Sequence, residues 1–178
     1  MSLPKYFKAI ENHLSLFLED SEILVFDEIK SKDFHLDVYY IKPNKNVNYI
    51  ILLTNGVSSK KMITPFNEYS KYIELAVLLP NTWQLDGDNW KKETNYWPIE
   101  LLKGVGRYPH QNKTWLGYGH TIPENGYIGN TNFTAILLLK SKTLPIEFQT
   151  ITKNFKVVVA SIFKHIFFLH PLFFFYLM

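Results

Sequence analysis

Two histidines ten residues apart, His110 and His120, are the first residues whose chemistry has to be decided. The second lies in Trp115-Leu116-Gly117-Tyr118-Gly119-His120-Thr121-Ile122-Pro123, which brings two glycines, an imidazole and a hydroxyl into one loop. A shared metal would need ligands at a short fixed spacing. Ten residues of loop is poor spacing, no HxxxH or HxH pair exists, and no carboxylate stands where it would orient either ring. The chain has no Cys, which excludes thiolate zinc, thiolate nucleophiles and disulfides. The expectation is therefore no metal and no cofactor, with His120, between Gly119 and Thr121, bonding the backbone of its own loop. A hydrolase acting through His110 or His120 stands as the enzymatic alternative.

Other constellations fail on their own chemistry. Gly104-Val105-Gly106-Arg107 lacks the third glycine of a dinucleotide fingerprint and falls inside a helical pattern rather than between strand and helix. Its small residues are expected to let that helix approach a sheet. Ser58 and Ser59 follow Gly56, but no nucleophile elbow G-x-S-x-G is present. Glu68, Glu74 and Glu100 do not make a glycosidase pair that spacing alone can argue. Asp86-Gly87-Asp88-Asn89 opens like a calcium loop without its closing Glu, and a hairpin turn is the better expectation. No catalytic residue is assigned.

The elements that carry these residues follow from periodicity. Leu3, Phe7, Ile10, Leu14 and Leu18 repeat at helical spacing, a stripe expected to pack on a sheet. Residues 22–29, 35–42, 48–55 and 72–80 read as strands, the second alternating Leu36, Val38, Tyr40 against Asp37, Tyr39, Ile41. The fourth is nearly continuous in apolar character and so expected at the centre. Residues 55–61 read as a turn. Residues 97–110 read as a helix with Pro98 in its first turn, followed by a Gly-rich loop over 111–131 and strands at 131–141 and 155–161. The pattern predicts α+β: one domain over residues 1–178, with a mostly antiparallel or mixed sheet flanked by helices.

Composition narrows the partners. Apolar residues are 47% and aromatics 16% of 178 residues, enough for a packed core. The net charge is +3, yet all but one of the 19 basic residues are Lys, Arg107 being the exception. Nucleic-acid readers lean on Arg and on basic runs, so no nucleic-acid partner is expected. The N-terminal residues lack the apolar core of a secretory signal, and the expected location is cytoplasmic. The apolar tail over about 161–178 is interrupted by Lys164, His165, His170 and Pro171 and is short for a bilayer, so no membrane anchor is expected. Trp83, Trp90, Trp97 and Trp115 all fall in or beside connections, where large aromatics either anchor partners or plug the ends of a sheet.

Five blocks in order then resemble a known family: residues 52–62, 72–83, 96–110, 114–126 and 133–139. The block with Glu74, Leu79, Pro80 and Trp83, and Trp97-Pro98 leading into Trp115, Gly119-His120-Thr121 and Pro123, resemble the suppressor-of-fused domain family over about residues 20–160. Two departures stand out: Asn55, Val57 and Lys61 in the turn, and a tail that ends in Phe residues without the family's acidic close, as a late frameshift or truncation would produce. The animal member clamps a transcription factor between two domains, and this chain resembles only the first. Short bacterial members resemble immunity proteins of polymorphic toxin systems. The resemblance thus implies a non-enzymatic module whose partner is a cognate toxin, or a degenerate regulatory copy without a partner. Candidate partner-binding residues are Trp83, Trp90, Tyr118 and Glu124. Trp97, His110, Trp115, Gly119, His120 and Thr121 are expected to be structural. Glu93, Glu100 and Glu124 with Asp86 and Asp88 are candidates for an acidic patch.

Overall fold

A computed structural model describes residues 10, 12, 14, 18, 20–29, 31, 33–140, 147–149 and 154–163, the last two segments as strand backbone only. Its centre is one mixed sheet. Strands β1 (Ile23–Phe26), β2 (Asp37–Ile41), β3 (Tyr49–Asn55) and β4 (Ile73–Pro80) form an antiparallel meander. Strand β8 (Asn154–Phe163) then lies parallel to β4, and β6 (Ala135–Lys140) and β5 (Thr121–Pro123) follow antiparallel to complete the order β1-β2-β3-β4-β8-β6-β5. A short β7 (Glu147–Gln149) also pairs with β8.

The fold is α+β, and the strand positions read from periodicity hold to within a few residues. Strand β4 is central, as its apolar run implies. The alternation in β2 is more than a core face against a solvent face, because all five residues are buried. Val38 and Tyr40 join Leu52, Leu75, Ile99 and Leu102 on one side of the sheet. Tyr39 and Ile41 join Ile51, Leu53, Ala76 and the N-terminal Ile10, Leu14 and Leu18 on the other. Odd and even residues of a strand face opposite sides, so two layers must cover this sheet. Ile10 and Leu14 are helical and, with Leu18, lie on the second face. Leu3, Phe7 and the apolar tail beyond Phe163 lie outside the described residues.

The first face is covered by helix α1, Glu93–Gln111, which buries Trp97, Ile99, Leu102, Val105, Gly106 and Pro109. It starts four residues earlier than the sequence pattern suggests. Asn95 and Tyr96 already donate to the Lys92 carbonyl at 2.9 and 3.0 Å, and Glu93 in the first turn suits the positive end of the helix. Pro98 consequently falls in the second turn, where its missing N–H leaves one backbone bond unmade. The expectation for the glycine pair is met at one position. A Cβ on Gly106 would stand 2.7 Å from Val57 Cγ2 and 3.3 Å from Leu36 Cδ2, so only glycine lets the helix sit this close; a Cβ on Gly104 would meet nothing within 4 Å. The single arginine, Arg107, ties this helix to the β1–β2 connection by an ion pair with Glu28, whose other oxygen accepts the Leu36 N–H at 3.1 Å.

The turn at residues 55–61 contains a 3-10 helix, Val57–Ser59. The Asp86–Asn89 stretch is not a hairpin. It leads through a second 3-10 turn, Asn89–Lys91, into α1, because the strand after β4 in the sheet is β8 and the chain must cross a face first.

Candidate functional site

The group with the strongest chemistry is one that sequence reasoning placed only loosely. Glu74 is the second residue of β4 and has a relative exposure of 0%. Its Oε1 accepts from the Gly56 N–H (3.1 Å), the Ser58 N–H (3.0 Å) and the Ser58 hydroxyl (2.6 Å). Its Oε2 accepts from the Thr54 hydroxyl (2.6 Å) and the Val57 N–H (3.3 Å). Three consecutive N–H groups at the start of the Val57–Ser59 turn thus form a nest around one carboxylate. Gly56 makes this possible: its φ is 140°, and a Cβ there would lie 2.2 Å from the His35 carbonyl oxygen. Thr54 Oγ1 in turn accepts the Leu75 N–H at 2.7 Å, which splices the nest into the sheet.

Two opposing effects act on this carboxyl. Burial pushes its pKa above the ordinary carboxylate range, and the hydrogen bonds from Ser58, Thr54 and Gly56 pull it back without cancelling the burial. Every surrounding donor points inward, so the group closes a turn and meets no solvent. Glu68 and Glu100 are exposed and line separate cavities, so the three glutamates form no pair. A sequence signal did exist. A lone carboxylate inside Ile73-Glu74-Leu75-Ala76-Val77-Leu78-Leu79 must find donors, although the sequence does not say that Thr54 to Ser58 supply them.

The two histidines occupy different surroundings. His110, near the end of α1, packs edge-on against Phe34 at 5.1 Å, and its Nε2 is enclosed with no partner among the described residues. Burial, then the charge of Lys60, lowers its pKa, while the Val57 backbone draws it the other way. His120 packs its ring against Trp115 at 4.2 Å. The bonds that hold this loop run through the backbone: Gly119 donates to Leu138 at 2.7 Å, Leu138 to His120 at 2.9 Å and His120 to Gly117 at 3.2 Å. They lead directly into β5, with Thr121 opposite Leu137. Gly119 supplies the turn with a φ of 80°. Among the described residues no three His, Asp or Glu side chains are grouped to hold a metal.

The tryptophans divide by environment. Trp97 is 7% exposed in the core, and Gly129 approaches its ring so closely that a Cβ would lie 2.4 Å from Cγ. Trp83 meets Trp97 edge-on at 5.7 Å and donates its indole N–H to the Asn95 carbonyl at 3.0 Å, an arrangement that braces the start of α1. Trp115 lies between Tyr69 (4.3 Å) and His120. Trp90 is 40% exposed beside Phe26 and Tyr96, each about 6 Å away. Tyr118 and Glu124 are exposed.

These exposed candidates do not make one patch. Trp90 stands at the start of α1 and Tyr118 follows its end, a separation set by a helix roughly 27 Å long. Glu124 lines a groove of about 430 Å³ with Glu100, Leu101, Gly104 and Tyr127, which contains neither Trp90 nor Tyr118. Of the proposed acidic patch, Glu100 and Glu124 meet there, whereas Asp86 is paired with Lys42 at 3.0 Å and Asp88 with Lys91 at 2.6 Å.

The family model of suppressor of fused protein matches residues 32–164, and the chain belongs to that family. A solved structure of a suppressor-of-fused homolog from Neisseria gonorrhoeae has a similar fold: TM-score 0.60 and 14% identity, covering 85% of this chain and 75% of that one. No curated protein matches the sequence. No helix among the described residues is long and apolar enough to cross a membrane.

Proposed function

We propose that this chain is a non-enzymatic protein-binding module that serves in the cytoplasm as an immunity protein, binding and neutralising a cognate bacterial toxin. Its membership of the suppressor-of-fused family and its likeness to a bacterial homolog support the reading. The observation that carries it is the fate of Glu74. The best-connected acid spends its five hydrogen bonds on closing a turn, where no substrate atom reaches it. Catalysis needs an acid, base or nucleophile within reach of the reacting atoms. Recognition needs exposed anchors on positioned loops, and Trp90 and Tyr118 have that character.

The net charge of +3 bears on the toxin. A strongly cationic target would be repelled on approach, so the neutralised surface is neutral or acidic. The test is co-expression with the toxin encoded beside this gene. Survival of the host and a stoichiometric complex on gel filtration are expected. A folded chain that neither protects nor forms a complex would overturn the reading. Absence of any neighbouring toxin would favour a degenerate copy without a partner.

A further inference from the structure

The segment from Met62 to Lys71 buries its root and exposes its tip. Met62 is 2% exposed, its N–H donates to the Lys71 carbonyl at 2.9 Å, and its sulfur faces the Leu116 N–H at 3.4 Å. The Ile63 N–H donates to the Thr114 carbonyl at 3.3 Å, which fastens the segment to the loop after α1. Within the segment, Lys71 donates to Asn67 Oδ1 at 2.8 Å. The side chains held at the tip are nevertheless apolar and outward: Ile63 is 61% and Phe66 60% exposed. Phe66 lies 6.0 Å from Tyr69, Tyr69 4.3 Å from Trp115, and Trp115 4.2 Å from His120. Tyr108, from the end of α1, shares a cavity with Trp115 and His120. A loop closed at its base, with an aromatic row leading away from exposed apolar side chains, has the form of a preorganised recognition surface.

We propose that the Ile63–Phe66–Tyr69 tip, continued by Trp115 and His120, is the docking surface for a protein partner that presents an apolar anchor flanked by acidic side chains. This rests on the protein-binding reading above and selects one end of α1 for it. Charge complementarity names the occupant. Lys61 and Lys71 line the cavity under the tip with Glu68 as the one acid, and Lys60 and Lys113 flank the two loops. The rings also bear on the class of partner. Tyr69 and Trp115 are tilted by only 33° at 4.3 Å, so each covers a face of the other. Stacking of nucleobases needs free faces. What the row offers is a continuous apolar edge, which suits an aliphatic or aromatic side chain of a protein.

The test is a random-peptide phage display on the intact chain. Wild-type protein is expected to enrich peptides with an aromatic or aliphatic residue flanked by Asp or Glu. Phe66→Ser and Ile63→Ser, both at exposed positions, should melt like wild type and bind synthetic versions at least tenfold more weakly. Lys61→Glu should weaken them with a reduced dependence on salt. Peptides lost from Trp90→Ala but kept by Phe66→Ser would overturn this surface and leave the protein-binding reading intact. Selection of no peptide, or of basic ones, would overturn it as well. Binding of a 20-nucleotide oligo-dT that Phe66→Ser abolishes would overturn the protein partner in favour of single-stranded nucleic acid.

Discussion

Replacement of Glu74 tests most directly how this fold is held. Glu74→Ala removes the acceptor for three N–H groups and two hydroxyls at a site with no exposure. Each buried donor left unpaired costs about 1–3 kcal/mol, partly recovered where water enters the vacated space. Loss of the charge's own burial cost offsets some of this, because the raised pKa means that the ionised form is held at a penalty. The expected net loss is about 3–5 kcal/mol, near the cost of breaking a buried charged network, and roughly 10 °C in melting temperature for a chain of this size. Glu74→Gln is a finer probe. Its carbonyl oxygen keeps the Gly56 and Ser58 bonds, while its amide nitrogen faces Val57 N and Thr54 Oγ1. Thr54 can turn its hydrogen to the Leu75 carbonyl, already 3.3 Å away, and accept from the amide. The loss should be only about 1–2 kcal/mol.

The pH dependence gives the sign. A carboxyl with a raised folded pKa contributes stability that is complete below its ordinary value of 4.5 and is lost as pH rises through the folded pKa. Glutamine does not titrate, so the gap between wild type and Glu74→Gln should narrow as pH rises from 4 toward 8. Chemical denaturation at a series of pH values measures it. A gap that widens over that range would show that the donors outweigh burial and would refute the reasoning.

Three further outcomes are expected. Leu14→Asp places a charge in the second core layer, where Leu14 is 1% exposed, and should lose about 4 kcal/mol or more; an unchanged denaturation midpoint would remove the N-terminal stripe from that layer. Gly129→Ala forces a Cβ to 2.4 Å from the Trp97 ring at a φ of 56° and should cost about 2–3 kcal/mol, whereas Gly104→Ala, in open space within α1, should stabilise by up to about 1 kcal/mol; thermal melts that rank them the other way would contradict the packing. His110 has a lowered pKa, so its contribution is present above 6.5 and lost as pH falls through its folded value. Wild-type stability should therefore decline on acidification more steeply than that of His110→Phe, and parallel pH–stability curves would argue against it.

Local patterns in the sequence determined a good deal. The alternation in β2 and the apolar runs of β3 and β4 marked those strands, and the helical spacing from Ile10 to Leu18 marked a stripe, because these patterns lie among neighbours along the chain. The family was legible for the same reason: ordered blocks of Trp, Pro and Gly survive as text. Only the tertiary structure decided that β8 enters between β4 and β6, since nothing local encodes which strand a later segment will join. It also turned Glu74, one of three acids whose spacing argued no pair, into a buried keystone, because its donors lie some twenty residues earlier and meet it only when β3 and β4 pair. The exposed tip at Ile63 and Phe66 was equally hidden: apolar residues in a sequence read as core, and only packing shows which of them found no cover.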